Sequence, residues 1–206
     1  MKQKETTLKA IVEQIYGIGY ANSVNINVLG EHHEELMRVY RSLGGILSEI
    51  PFRFGGWDIV TPHFVIELDE EQHFNRYRKQ TLDSAIYKDL KMFNVASYRI
   101  FCDKFENICL KKAARGGYWA NSSTEGQFGT AGPNGELTGK GSPRWKQRAF
   151  YDFCRDIYGM ATQIPVYRLS IYDEVKTNFG TTTLANALDR NMLQEIESFL
   201  KTKIRG

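Results

Sequence analysis

The alternation of apolar and polar positions divides the chain into segments with distinct periods. Residues 6–17 place Leu8, Ile11, Val12 and Ile15 at helical spacing, with Thr6 or Thr7 as an N-cap and Gly17 as a stop. Residues 31–43 repeat that spacing through Leu36, Val39, Tyr40 and Leu43, and Gly44-Gly45 ends the run. The period then shortens. Trp57-Asp58-Ile59-Val60 and Phe64-Val65-Ile66-Glu67-Leu68-Asp69 predict two strands, joined as an antiparallel hairpin by the turn signal Thr61-Pro62.

Beyond the hairpin, residues 76–93 predict a helix with Tyr77, Leu82, Ile86, Leu90 and Phe93 on one face. Ala96-Ser97-Tyr98-Arg99-Ile100-Phe101 predicts a third strand, and 103–114 a further helix capped by Asp103. A strand–helix–strand passage of this length makes a right-handed crossover between parallel neighbours. Residues 115–143 are glycine-rich and predict a long loop. Helix 144–158, a strand over 164–172 and a closing helix over 183–203 complete the order. The expected fold class is α/β, a central mixed sheet flanked by helices with a helical C-terminal elaboration. A single domain spans 1–206, with its core over about 30–115.

Composition adds limits. At 206 residues, with 42% hydrophobic and 25% charged positions, the chain is long enough for a substantial core. A net charge of +3 is too small to announce a nucleic-acid binder, so such a role must rest on where the charges sit. Three cysteines without a CxxC pair argue against a disulfide framework or a zinc ribbon. No stretch approaches the ~18 apolar residues of a membrane span, and the polar start lacks a signal-peptide core, so the expected location is cytoplasmic. Gly139-Lys140-Gly141-Ser142 lacks the GxxxxGK[ST] arrangement, which excludes a phosphate loop of the NTPase type.

The segment with the most chemistry is Gly55 through Phe74. Side chains alternate along a strand, so Glu67 and Asp69 share a face, and hairpin pairing brings Asp58 near Glu67. Three converging carboxylates suit Mg²⁺ or Mn²⁺, hard cations that polarise a phosphate and activate water. His73 follows the strand and suits proton transfer near neutral pH. The same letters also fit a strand with a solvated acidic face and a surface histidine.

These residues resemble the PD-(D/E)XK nuclease superfamily, nearest to its very-short-patch-repair-type endonucleases and small uncharacterised bacterial relatives. The resemblance runs over roughly residues 30–102. Asp58 matches the first acid, Val65-Ile66-Glu67-Leu68-Asp69 the second strand, His73 the histidine, and Tyr98-Arg99-Ile100-Phe101 the later strand. It implies a restriction-endonuclease-like core and Mg²⁺-dependent DNA hydrolysis. Asp58, Glu67 and Asp69 are the implied metal ligands, and His73 the implied proton carrier. Glu31 and Glu35 are accessory acids at i, i+4, and Lys79 or Lys88 a substitute base. The superfamily's usual Lys is Asp69 here, which leaves the general base open and admits an inactive DNA-binding or assembly module as the alternative.

Arg76, Arg78, Arg144, Lys146 and Arg148 are the expected phosphate contacts. Trp145 either stacks on a base or packs in the core. Double-strand cutting would call for a homodimer.

Overall fold

The computed structural model describes residues 2–20, 26–50, 55–113 and 118–205. In chain order these form α1 (Lys2–Tyr16), a 3-10 turn (Ile26–His32), α2 (His33–Ser42), β1 (Ile59–Val60), β2 (Val65–Asp69), a 3-10 turn (Glu71–His73), α3 (Arg76–Thr81), a 3-10 turn (Ala85–Lys88), α4 (Val95–Ala113), α5 (Ser122–Phe128) and α6 (Pro143–Thr162). There follow β3 (Val166–Ser170), β4 (Glu174–Thr177), β5 (Gly180–Thr183), α7 (Leu184–Asp189) and α8 (Leu193–Arg205). The fold is α/β, with a small mixed sheet, a separate hairpin and eight α-helices among the described residues. None of these helices is long and apolar enough to cross a membrane. The chain divides into two compact units: Met1–Ser23 with Gly56–Glu70 and Ile164–Gly206, and Val24–Gly55 with Glu71–Gln163.

The first unit is built on β2. All five of its residues are buried, as expected of a strand flanked on both sides. β1 pairs with it antiparallel, Ile59 opposite Ile66, and the Thr61 hydroxyl ties the turn by donating to the Phe64 carbonyl at 2.8 Å. β3 pairs with it parallel, from Val65 opposite Val166 to Asp69 opposite Ser170. α1 buries Leu8, Ile11 and Val12 and stops where Gly17 takes φ +81°, a left-handed conformation that glycine adopts without Cβ strain. Phe64 sits edge-on between Tyr16 and Tyr167, with ring centroids at 5.1 and 5.3 Å. The β4–β5 hairpin, α7 and α8 complete the unit through Val175, Leu184, Ala187, Leu188, Ile196 and Leu200.

The second unit is organised by α6. Ser142 caps it by accepting from the Trp145 amide, and Pro143 occupies its first turn, where a missing N–H costs nothing. Trp145, Ala149, Phe150, Phe153, Cys154 and Ile157 are buried along it. Trp145 meets Trp119 at 5.3 Å, and Tyr40 packs against Phe128 and Phe150.

The two expected strands at the hairpin form, with β1 shortened to Ile59–Val60. The expected strand over 96–101 is instead the start of α4, 19 residues long. Tyr98, Cys102 and Cys109 repeat at helical spacing and are all buried there, so the helical period overrides a short aromatic run. The third strand is therefore β3, supplied by the C-terminal region, and the expected crossover through 76–93 does not form. Those residues make α3 and a 3-10 turn. Within the expected loop, Asn121 caps α5 with a full capping box. Residues 129–142 are tied down by bonds from Gly132 N to Gly141 O, Trp119 Nε1 to Gly132 O and Tyr77 OH to Leu137 O. Gly116 and Gly117 lie outside the described residues. The closing helix over 183–203 breaks into α7 and α8, and the β4–β5 hairpin was not foreseen.

Gly141 has φ +60°, and an added Cβ would lie 1.7 Å from the Tyr77 hydroxyl. Gly141→Ala is expected to cost about 1–3 kcal/mol, seen as a lower urea midpoint with an unchanged slope.

Candidate functional site

β2 carries the acidic pair. Glu67 is 3% exposed and Asp69 0%. Alternation puts both on one strand face, with Ile66 and Leu68 on the other. Arg168 on β3 stands in register with Glu67, so it shares that face. Its Nη1 meets Asp69 Oδ1 at 2.5 Å, and both side chains are 1% exposed. Asp58, just before β1, is set by the hairpin register: its Oδ2 accepts the Leu68 N–H at 2.8 Å. The hairpin thus brings Asp58 to the backbone between Glu67 and Asp69. Asp58, Glu67 and Asp69 are nonetheless not gathered into one set of mutually close ligand atoms. Asp69 is turned to its arginine and Asp58 to an amide.

A fourth acid stands at the end of β3. Asp173 accepts the Ser170 N–H at 3.0 Å and faces Lys203 Nζ at 3.3 Å. Burial pushes its carboxyl above the ordinary carboxylate range, against the opposing pull of Lys203 and the Ser170 amide. Sequence reading missed Asp173 because the turn into β4 was not expected. Arg168 was missed because the strand over 164–172 carries no motif that marks it.

In the second unit, His73 closes the 3-10 turn Glu71–His73 and its Nδ1 lies 2.8 Å from Asp152 Oδ2. Asp152 is 1% exposed, on α6. One turn earlier on α6, Arg148 Nη1 donates to Gln72 Oε1 at 2.7 Å. A buried carboxylate on one imidazole nitrogen fixes the ring's orientation. The i, i+4, i+8 series Arg148, Asp152, Asp156 on one helix was the signal that could have found these partners.

Several expected phosphate contacts are structural. Arg78 is fully buried: it pairs with Asp156 at 2.7 Å, donates to Thr81 and to the Tyr87 hydroxyl, and lies over the Phe93 and Tyr98 rings. Trp145 is 1% exposed and belongs to the core, so it does not stack on a base. Lys146 donates to the Lys140 carbonyl, and burial lowers its pKa. Arg76 is exposed but engages Glu106 through two nitrogens. Arg144 reaches Gln147, and Lys79 pairs with Asp103 in solvent. Lys88 is exposed at the end of its 3-10 turn.

Glu31 and Glu35 do not share an α-helical face, because α2 begins only at His33. The Arg38 guanidinium, with the Ser84 hydroxyl, holds Glu35 below its ordinary value. Thiol chemistry is remote: burial pushes Cys109 up to about 12.

A family model covers residues 38–190. The chain belongs to DUF7255, a family of unknown function. No curated protein and no solved structure matches the chain. The DUF7255 match takes in the strand pair, His73, Asp152, Arg168 and Asp173, and leaves out Glu31 and Glu35.

Removing one partner of a buried pair leaves a desolvated charge. Arg78→Met should therefore cost about 3–5 kcal/mol in urea unfolding, whereas Arg76→Met, which opens an exposed pair, should cost about 0–1 kcal/mol. Asp173 has its folded pKa raised. Its stabilising contribution is full below the ordinary carboxylate range and is lost as pH rises through the raised value. Asp173→Asn should flatten that part of the profile of melting temperature against pH.

Proposed function

We propose that this DUF7255 protein is a divalent-metal-dependent nuclease that hydrolyses DNA, built on a restriction-endonuclease-like core. The observation that carries the reading is the β1–β2 pairing, which sets Asp58 against a central strand bearing Glu67 and Asp69 on one buried face. Burying two carboxylates on a strand that could hold apolar residues is costly, and a cation-binding task is one reason for a fold to bear it.

The donors are all hard oxygens, the type that Mg²⁺ or Mn²⁺ takes. Asp58 and Glu67 would hold the ion, with Asp69 as the third ligand, once Asp58 leaves the Leu68 amide and Asp69 its arginine. When bound, the ion supplies Lewis-acid polarisation of the phosphate and an acidified water. The chain's own residues do the rest. Within the second unit, Asp152 orients the His73 ring, the proposed proton carrier. Arg76, Arg144 and Arg148 are the remaining candidates for phosphate contacts, since each keeps part of its side chain in solvent.

A second reading is favoured by the buried Asp69–Arg168 pair. A guanidinium in that place neutralises the strand without any metal, as a nucleic-acid-binding or assembly module without chemistry would need. It would bind DNA in a salt-sensitive, metal-independent way and tolerate Glu67→Gln.

Plasmid nicking by the purified chain separates the two. The nuclease reading expects cleavage that requires Mg²⁺ or Mn²⁺ and that Asp58→Ala and Glu67→Ala each abolish while the variants keep the wild-type circular dichroism spectrum. Undiminished cleavage by both variants would refute this site. Metal-independent binding without turnover would leave the module.

A further inference from the structure

The β4–β5 hairpin belongs to the first unit and is used by neither reading above. It follows the end of the β2–β3 pair, where the Ile171 N–H donates to the Asp69 carbonyl at 3.1 Å. Its root is fixed. Val175 and Leu184 are fully buried, the Leu184 amide donates to the Asp173 carbonyl at 2.8 Å, and Thr183 caps α7 by accepting from the Asn186 amide.

The tip is the unusual part. Thr177 pairs with Gly180, so Asn178 and Phe179 form a two-residue turn. The Thr177 hydroxyl accepts the Phe179 N–H and donates to the Gly180 carbonyl, each at 3.2 Å, which holds the turn. Phe179 is 100% exposed. Two-residue hairpin turns favour asparagine, aspartate and glycine, so the turn itself does not call for an aromatic ring. A phenylalanine contributes most when its faces are covered, and here they stand in water.

The side chains around the ring narrow the partner. Lys176 and Thr181 stand opposite each other one pair below the turn, and both are exposed, as is Asn178. Glu174 shares the Lys176 face but sits at the root, opposite Thr183. A lipid surface or an apolar protein pocket would be met by further apolar groups around the ring. An ammonium, hydroxyls and a carboxamide are instead groups that contact phosphate and sugar, and an exposed ring is a platform for a base.

We propose that the β4–β5 hairpin is a DNA contact in which Phe179 stacks on an unpaired base while Lys176 meets an adjacent phosphate. This rests on the DNA binding that both readings above share. It adds the kind of DNA: a bulge, mismatch or strand end gives the ring a base face to cover, and a fully paired duplex does not.

Fluorescence anisotropy with a labelled short duplex carrying one unpaired base, against its fully paired counterpart, tests this in the full chain at several salt concentrations. Wild type should bind the bulged duplex about tenfold more tightly. Phe179→Ala should lose that preference with an unchanged salt slope, and Phe179→Trp should keep it. Lys176→Gln should weaken both duplexes alike and lower the salt slope by about 1. Both positions are exposed, so the variants should keep the wild-type circular dichroism spectrum. Equal wild-type affinity for the two duplexes, or a preference that survives Phe179→Ala, would overturn the proposal. Phe179-dependent binding to phosphatidylcholine vesicles, with none to DNA, would overturn it in favour of a membrane contact. In any of these outcomes, metal-dependent nicking that Glu67→Ala abolishes would leave the nuclease reading intact. A Phe179-dependent preference without nicking would keep the hairpin contact and remove the nuclease reading.

Discussion

The architecture of the first unit turns on the neutralisation of β2. This strand lies between two neighbours and has all its residues buried, yet two of its five are acids. Ionised carboxylates persist in such a place only beside a cation or several donors, because the interior replaces little of the hydration they lose. Arg168 meets that demand from β3, and it does so only because the parallel register puts it opposite Glu67 and one step from Asp69. The pairing of strands and the pairing of charges are thus one constraint. A slip of one residue would turn the arginine to the apolar face and break its pair with Asp69.

The second unit meets a similar demand by other means. Its buried charges lie on α6, where Asp152 and Asp156 recur at one turn's spacing. Asp156 is met by a fully buried arginine and a tyrosine, Asp152 by a histidine that is still 18% exposed. The first arrangement has the character of a strut, since every group is enclosed. The second leaves an imidazole edge near solvent, which suits a group that exchanges protons.

The hydrophobic period located α1, α2, α6 and the β1–β2 hairpin because each has a long or cleanly alternating apolar pattern. It failed over 96–101, where six residues with aromatic and branched side chains fit either period, and burial of Tyr98, Cys102 and Cys109 on one face decided for helix. The glycines of 115–143 suggested a loop, but a capping box at Asn121 outweighed Gly126. Of the candidate residues, those set by strand alternation were legible: Glu67 and Asp69 share a face, and Asp58 reaches that strand. Their partners were not. Arg168 lies 99 positions from Asp69, and Asp152 lies 79 from His73, distances over which spacing carries no information. Arg78 and Trp145 looked like contacts for DNA because a basic or aromatic letter does not disclose whether it faces outward.

The interrupted order of the first unit bears on how the protein comes to be made. Its central strand leaves the ribosome early, while the strand that must lie beside it comes about a hundred residues later, after the whole intervening segment that ends at Gln163. Until then Glu67 and Asp69 have no arginine, and one edge of β2 is open. Such late, long-range closure slows folding and exposes a strand edge to other chains. The nascent polypeptide therefore passes through a stage when its acids are in water, and the hydration they keep there is itself a guard against premature association.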